Sequence, residues 1–183
     1  MTASRGATAS VSLVLRNLAF TIVVPGAGGA YVPWLILTRE NGRLPAVAAW
    51  YAAPVIIAGV CLYTWCVAAF GHTGRGTPGL WDAPRQVVAT GPYAYVRNPI
   101  YLAALLIVAG EAWLFLSPGV LLYAAGLVAA FQLLVVGYEE PRLRGRFGEP
   151  YVAYCHAVSR WLPRRSRPDA GSRPRYQRRR LRR

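Results

Sequence analysis

Residues 98–138 read NPIYLAALLIVAGEAWLFLSPGVLLYAAGLVAAFQLLVVGY, a run of 41 residues whose one charged side chain is Glu111. As a single helix at about 1.5 Å per residue it would be about 60 Å long, twice the roughly 30 Å hydrocarbon core of a bilayer. It is therefore predicted to fold back on itself, and Ser117-Pro118-Gly119 supplies the turn chemistry. Upstream, Asn17 to Thr38 carries no charge, and Leu44 to Gly74 carries none beyond a titratable His72. The chain is 55% apolar and 15% charged, and its apolar residues are gathered into these runs, a pattern rare in soluble domains. The predicted fold is all-α and polytopic. About four transmembrane helices are expected, at roughly 13–37, 45–70, 99–116 and 119–138, followed by short amphipathic helices.

Every basic residue is arginine, 21 in all against seven acids, and 11 of the arginines lie between Arg160 and Arg183. With four spans, the N-terminus (Arg5, Arg16), the loop 71–98 (Arg75, Arg85, Arg97) and the tail share one side, which the positive-inside rule makes cytosolic. The expectation is a multi-pass protein of the plasma or inner membrane with both termini in the cytosol. The first apolar run is too long for a signal peptide. Cys61, Cys66 and Cys155 have no framework spacing, and His72 and His156 lack a second ligand at metal spacing, so no metal site is expected. Gly26, Gly28 and Gly29 follow no strand, which argues for close helix packing rather than a nucleotide loop.

Three regions follow: an N-terminal helical hairpin (1–74), a core (75–163) and an arginine-rich tail (164–183) that has no hydrophobic face and is expected to be disordered. After Tyr138, apolar residues recur every three or four positions from Leu143 to Leu162. Gly148 and Pro150 divide this stretch into two short helices predicted to lie along the membrane surface. Beside a membrane anchor, the tail's nearest partner is anionic lipid head groups rather than a specific nucleic acid.

Polar groups converge at two places. Gly91 to Tyr101 (GPYAYVRNPIY) sits at the start of the third span. Asn98 is placed as an N-cap and Pro99 as the first helical residue, Arg97 offers a fork for an anion, and Tyr93, Tyr95 and Tyr101 offer aromatic faces. Tyr138-Glu139-Glu140 sits at the exit of the fourth span, where adjacent carboxylates oppose the helix dipole and so argue for a purpose. Flanking one hairpin, the two clusters should emerge together and could accept a ligand bearing both a carboxylate and an amine. Glu140 could also pair with Arg144 one turn on. Glu111, near the far interface, reads as a snorkelling residue.

The pattern Gly-Pro-Tyr-x-x-x-Arg-Asn-Pro-x-Tyr, followed after the hairpin by Glu-Glu-x-x-Leu-x-x-x-Phe-Gly-x-x-Tyr-x-x-Tyr and closed by Trp161-Leu162-Pro163, resembles the isoprenylcysteine carboxyl methyltransferases and related phospholipid methyltransferases. The resemblance covers about residues 75–163. It implies a membrane-embedded methyltransferase that takes S-adenosylmethionine from the cytosol and a lipophilic or lipid acceptor from the bilayer. Cofactor contacts are implied at Arg85, Gln86, Val87, Val88, Tyr93, Asn98, Pro99, Ile100, Tyr101 and Glu139, and catalytic roles at Arg97 and Glu140. Asn98 replaces the histidine of eukaryotic members. Val135 stands where those enzymes carry an arginine associated with a carboxylate substrate, so a hydroxyl, thiol, amine or differently held carboxyl acceptor is open. An NADPH-dependent membrane reductase and a non-enzymatic anchor presenting its arginine tail are the alternative readings.

Overall fold

The computed structural model describes residues 25–40, 46–70 and 87–163. Most of those residues are helical, and among them there is no strand beyond an isolated parallel bridge between Val96 and Ser159. A π turn (Ala27–Tyr31) leads into α1 (Val32–Glu40), followed by α2 (Ala46–Ala69) and a short 3-10 turn (Gly91–Ala94). The hairpin is α3 (Pro99–Leu114) and α4 (Pro118–Leu134). A second π turn (Val135–Glu139) carries α4 directly into α5 (Glu140–Phe147), and α6 (Glu149–Ala157) is the last of the described helices.

Among the described residues, two helical stretches are long and apolar enough to cross a membrane, Trp50–Ala69 at 20 residues and the continuous Pro118–Phe147 at 30. The apolar α3, at 16 residues, is shorter than a usual span. Residues 13–24, about half of the expected first span (13–37), lie outside the described residues, as do the loop through Gln86 and the tail. Leu122 and Leu133 are each 74% exposed on α4, and Ile57 on α2 is 60% exposed. Such an apolar outer surface is costly in water and suited to lipid.

The hairpin turn forms where expected. Ser117 Oγ accepts from Val120 N–H at 3.0 Å, an N-cap on α4. The Glu40 carboxylate at the end of α1 accepts from Gly119 N–H at 2.9 Å and from the Ser117 hydroxyl, placing a negative charge on the helix N-terminus. Tyr123 on α4 donates to the Gly28 carbonyl at 2.8 Å and ties down the first π turn. The close packing expected at these glycines does not extend to Gly29, where nothing lies within 4 Å of a Cβ, and at Gly28 a Cβ would make only an ordinary contact, 3.6 Å from the Tyr123 hydroxyl. Glu111 differs from its expected outward reach: its Oε2 is buried without a hydrogen-bond partner, because α4 brings Tyr123 beside it and the Ala27–Tyr31 turn packs on α3.

The largest helix contact is α2 against α3. Two glycines permit it: a Cβ on Gly59 would lie 2.7 Å from Ile107 Cγ1, and one on Gly110 would lie 2.5 Å from Ile56 Cγ1. Backbones approach closely here through small residues, as is usual when no solvent drives helices together. Gly110→Val should therefore cost about 1–3 kcal/mol through overpacking. Thermal unfolding in detergent micelles checks this, with Gly126→Ala as the control, since nothing lies within 4 Å of a Cβ there.

Candidate functional site

The segment before α3 is held from several directions. Gly91 has φ +58, and a Cβ there would lie 3.1 Å from Trp65 Nε1 and 3.3 Å from Ala69 Cβ, so glycine serves both the turn and the approach to α2. The 3-10 turn that follows buries Pro92 and Tyr93. Tyr93 meets Phe70 edge-on at 5.1 Å and packs with Cys66, Val88 and Ile100. Tyr154 on α6 donates to the Tyr93 carbonyl at 2.7 Å. Burial, with Cys66 and Tyr154 nearby, pushes the Tyr93 hydroxyl well above the ordinary phenol range, so it stays a neutral donor. That hydroxyl lies beside the Cys66 thiol without a well-formed hydrogen bond.

Arg97 and Glu140 meet across the hairpin. Arg97 Nη1 donates to Glu140 Oε1 at 3.0 Å, and the side chains are 13% and 7% exposed. The same nitrogen lies 3.0 Å from Cys155 Sγ, while Arg97 Nε is buried without a partner. Arg160 adds a bidentate clamp, Nε to Oε1 at 2.8 Å and Nη2 to Oε2 at 3.0 Å. Its charge is stabilised in turn, mainly by the hydrogen bond to Glu140, which raises its pKa despite partial burial. Arg144, the neighbour expected to pair with Glu140, stands off at 3.9 Å and is 57% exposed. The two clusters thus converge, but Arg97 and Glu140 neutralise each other rather than facing a ligand as separate charges.

Asn98 sits at the N-cap position of α3 without capping it. Its φ and ψ are −122° and 52°, and its amide donates to the Arg160 carbonyl at 3.3 Å instead. Arg97 N–H donates to the Ser159 carbonyl at 2.9 Å. Trp161 Nε1 reaches Gln132 Oε1 on α4 at 2.8 Å. Residues 159–161 therefore form a strap joining both arms of the hairpin. The sequence offered a faint signal for it: Arg160 precedes Trp161-Leu162-Pro163 within the amphipathic stretch rather than the tail.

Glu139 points elsewhere. Tyr101 donates to its Oε1, and Tyr101 stacks on Phe131 with centroids 4.5 Å apart. The π turn explains how neighbouring glutamates both serve the site. Glu140 N–H bonds to the Val135 carbonyl, a five-residue step, and Pro141 has no N–H with which to resume the ladder.

One open cavity gathers these groups. Of the residues singled out above, Val87, Val88, Tyr93, Arg97, Asn98, Ile100, Tyr101, Glu139 and Glu140 line it. Pro99 is buried behind it, and Arg85 and Gln86 lie outside the described residues. Val135, 1% exposed, forms part of the wall. The sequence reading missed Arg142 and Arg146, and it gave no site role to the motif tyrosines Tyr151 and Tyr154; all four also line the cavity.

A family model described as phospholipid methyltransferase matches residues 47–150, more than half of the chain. No curated protein matches it. The matched segment contains all of α2 but its first residue, the hairpin and both glutamates, and ends before Arg160.

The clamp distances separate the partners of Glu140 energetically. A double-mutant cycle on Arg160 and Glu140 should give a coupling of about 1–3 kcal/mol. The same cycle on Arg144 and Glu140 should give about 0.5 kcal/mol or less. Both are read by thermal unfolding in detergent.

Proposed function

The chain belongs to the phospholipid methyltransferase family, and on that premise we propose that it transfers the methyl group of S-adenosylmethionine to a lipophilic acceptor at the membrane, as isoprenylcysteine carboxyl methyltransferases do. The observation that carries this reading is the division of charge in the cavity. Glu139 is a carboxylate with no guanidinium partner among the described residues, while the buried Tyr93 hydroxyl and Arg97 Nε lack acceptors. These groups suit the cofactor: Glu139 for its amine, the two donors for its carboxylate or ribose oxygens, and Val87, Val88 and Ile100 for an apolar ring. Arg85 and Gln86 belong to the same proposed stretch.

Bound S-adenosylmethionine supplies a methyl on a positively charged sulfur, and in-line displacement needs alignment and exclusion of water more than acid or base chemistry. The residues present fit those needs. Tyr93 and Tyr101 give aromatic faces that favour a cation. The pairing of Arg97 with Glu140, braced by Arg160, fixes the separation of the two arms of the hairpin. We read Arg97 and Glu140 as aligning groups at the reacting centre. Val135 gives no counter-charge at the cavity wall, so an acceptor carboxyl would be desolvated without compensation there.

In this reading the chain has four spans, the described helices being completed by the first run, with both termini and the cavity on the cytosolic side. The arginine tail lies against anionic lipid head groups.

Two outcomes test the proposal. Labelled methyl from S-adenosylmethionine should appear in a membrane lipid extract. Arg97→Ala and Glu139→Ala should each weaken binding of S-adenosylhomocysteine by about 100-fold or more, from loss of charged hydrogen bonds in a desolvated site. Retained affinity in both variants would remove the site assignment. Deletion of residues 164–183 should leave turnover in detergent within about twofold while reducing retention on anionic vesicles.

A further inference from the structure

We propose that Arg160 is a positioning residue that lets Arg97 change partners: it keeps Glu140 compensated, so that Arg97 can turn from Glu140 to an anion entering the cavity. The inference rests on the reading of the cavity as the cofactor site, and it assigns the carboxylate of the cofactor's methionine moiety to Arg97.

The charges do not balance in pairs. One carboxylate, Glu140, is shared by two guanidinium groups at hydrogen-bond distance, so the cluster carries an excess positive charge. Arg144, at 3.9 Å and 57% exposed, is left mainly to water. The excess falls on Arg97. Its contact with Glu140 is a single bond from Nη1 to Oε1, and that nitrogen also lies 3.0 Å from Cys155 Sγ. Its Nε is buried without a partner. Arg160 instead grips both carboxylate oxygens, through Nε and Nη2. Withdrawal of Arg97 would leave Glu140 in a bidentate pair. Withdrawal of Arg160 would leave it with one bond from Arg97 and the distant Arg144.

Position divides the roles in the same way. Arg97 lines the cavity, and Arg160 is not part of its wall. With side chains 13% and 32% exposed, Arg97 is the more deeply buried charge and gains more from a second anion. Arg160 is held by contacts that do not involve the Arg97 side chain. The Asn98 amide donates to its carbonyl at 3.3 Å, the main-chain N–H of Arg97 donates to the Ser159 carbonyl at 2.9 Å, and the Trp161 indole reaches Gln132 at 2.8 Å. Rotation of the Arg97 side chain breaks none of these. Without Arg160, the Arg97 charge would be taken up by Glu140 and withheld from the cavity.

The test uses full-length protein in dodecyl maltoside micelles, titrated with S-adenosylhomocysteine and with 5′-methylthioadenosine, which lacks the carboxylate and the amine. Arg160→Gln should weaken S-adenosylhomocysteine binding about tenfold or more while 5′-methylthioadenosine affinity stays within about twofold. Arg160→Lys, the milder change, keeps the charge without the fork and should lose about threefold. Arg160→Gln with Glu140→Gln should return S-adenosylhomocysteine affinity to within about threefold of wild type, because Arg97 is no longer held by a charge. The proposal is overturned by equal losses for both ligands, by unchanged S-adenosylhomocysteine affinity in Arg160→Gln, or by a double variant as weak as the single one. A second measurement needs no ligand. Arg97→Gln should lower the thermal unfolding midpoint about twice as far or more in the Arg160→Gln background as in wild type, with Arg160→Lys in between, and additive shifts would overturn the proposal. Failure of wild type to bind S-adenosylhomocysteine would instead remove the reading of the cavity, while the midpoints still decide whether Arg160 holds Glu140 when Arg97 leaves.

Discussion

A carboxylate buried where a helix leaves an apolar layer has to be compensated, and Glu140 is 6% exposed. Its compensation comes from parts of the chain far apart in sequence: Arg97, 43 residues upstream, and Arg160, 20 residues downstream. Meeting that requirement fixes the start of α3 against the end of α4 and pulls the chain after α6 back across both. The Val96 and Ser159 bridge, the Asn98 amide on the Arg160 carbonyl and the Trp161 bond to Gln132 all follow the same path. Arg160 is outside the segment that carries the family match, yet it makes the shorter and bidentate contact with Glu140.

With Glu140 occupied in this way, the charges that remain at the cavity are its neighbours. Glu139 keeps one phenol, and Arg142 and Arg146 keep only aromatic supports. The π turn separates these duties along a single helix, since the five-residue step from Val135 to Glu140 resets the register before the charged α5 begins.

The clamp is useful only if the helices beneath it are held. At the cavity end, Tyr93 is fixed between Phe70 and Tyr154, and Gly91 lets the turn approach Trp65. In the middle, Gly59 and Gly110 bring α2 and α3 together. At the other end, Glu40 caps the helix that Ser117 also caps. These contacts tie the hairpin and the turn before it to α1, α2 and α6, so the geometry of the cavity depends on side chains along the whole length of the hairpin.

Much was legible in the sequence because hydrophobic periodicity and turn chemistry are local. The long uncharged run, the turn at Ser117-Pro118-Gly119, the break at Gly148 (φ +60) and the convergence of Arg97 with Glu139 and Glu140 could be read from spacing alone. What spacing could not show was which charge answers which. Arg144 was the near neighbour of Glu140, but at 3.9 Å it is the weak partner, because folding brings Arg97 and Arg160 closer from either side. Asn98 had the sequence of a cap and became a tether for the strap, and Glu111 had the sequence of a snorkelling side chain and was covered by Tyr123 and the first π turn. The sequence by itself determined where the apolar layer lies and which polar residues gather at its rim. Only the tertiary structure decided how their charges are shared, because an ion pair depends on distances across elements that a linear pattern does not contain.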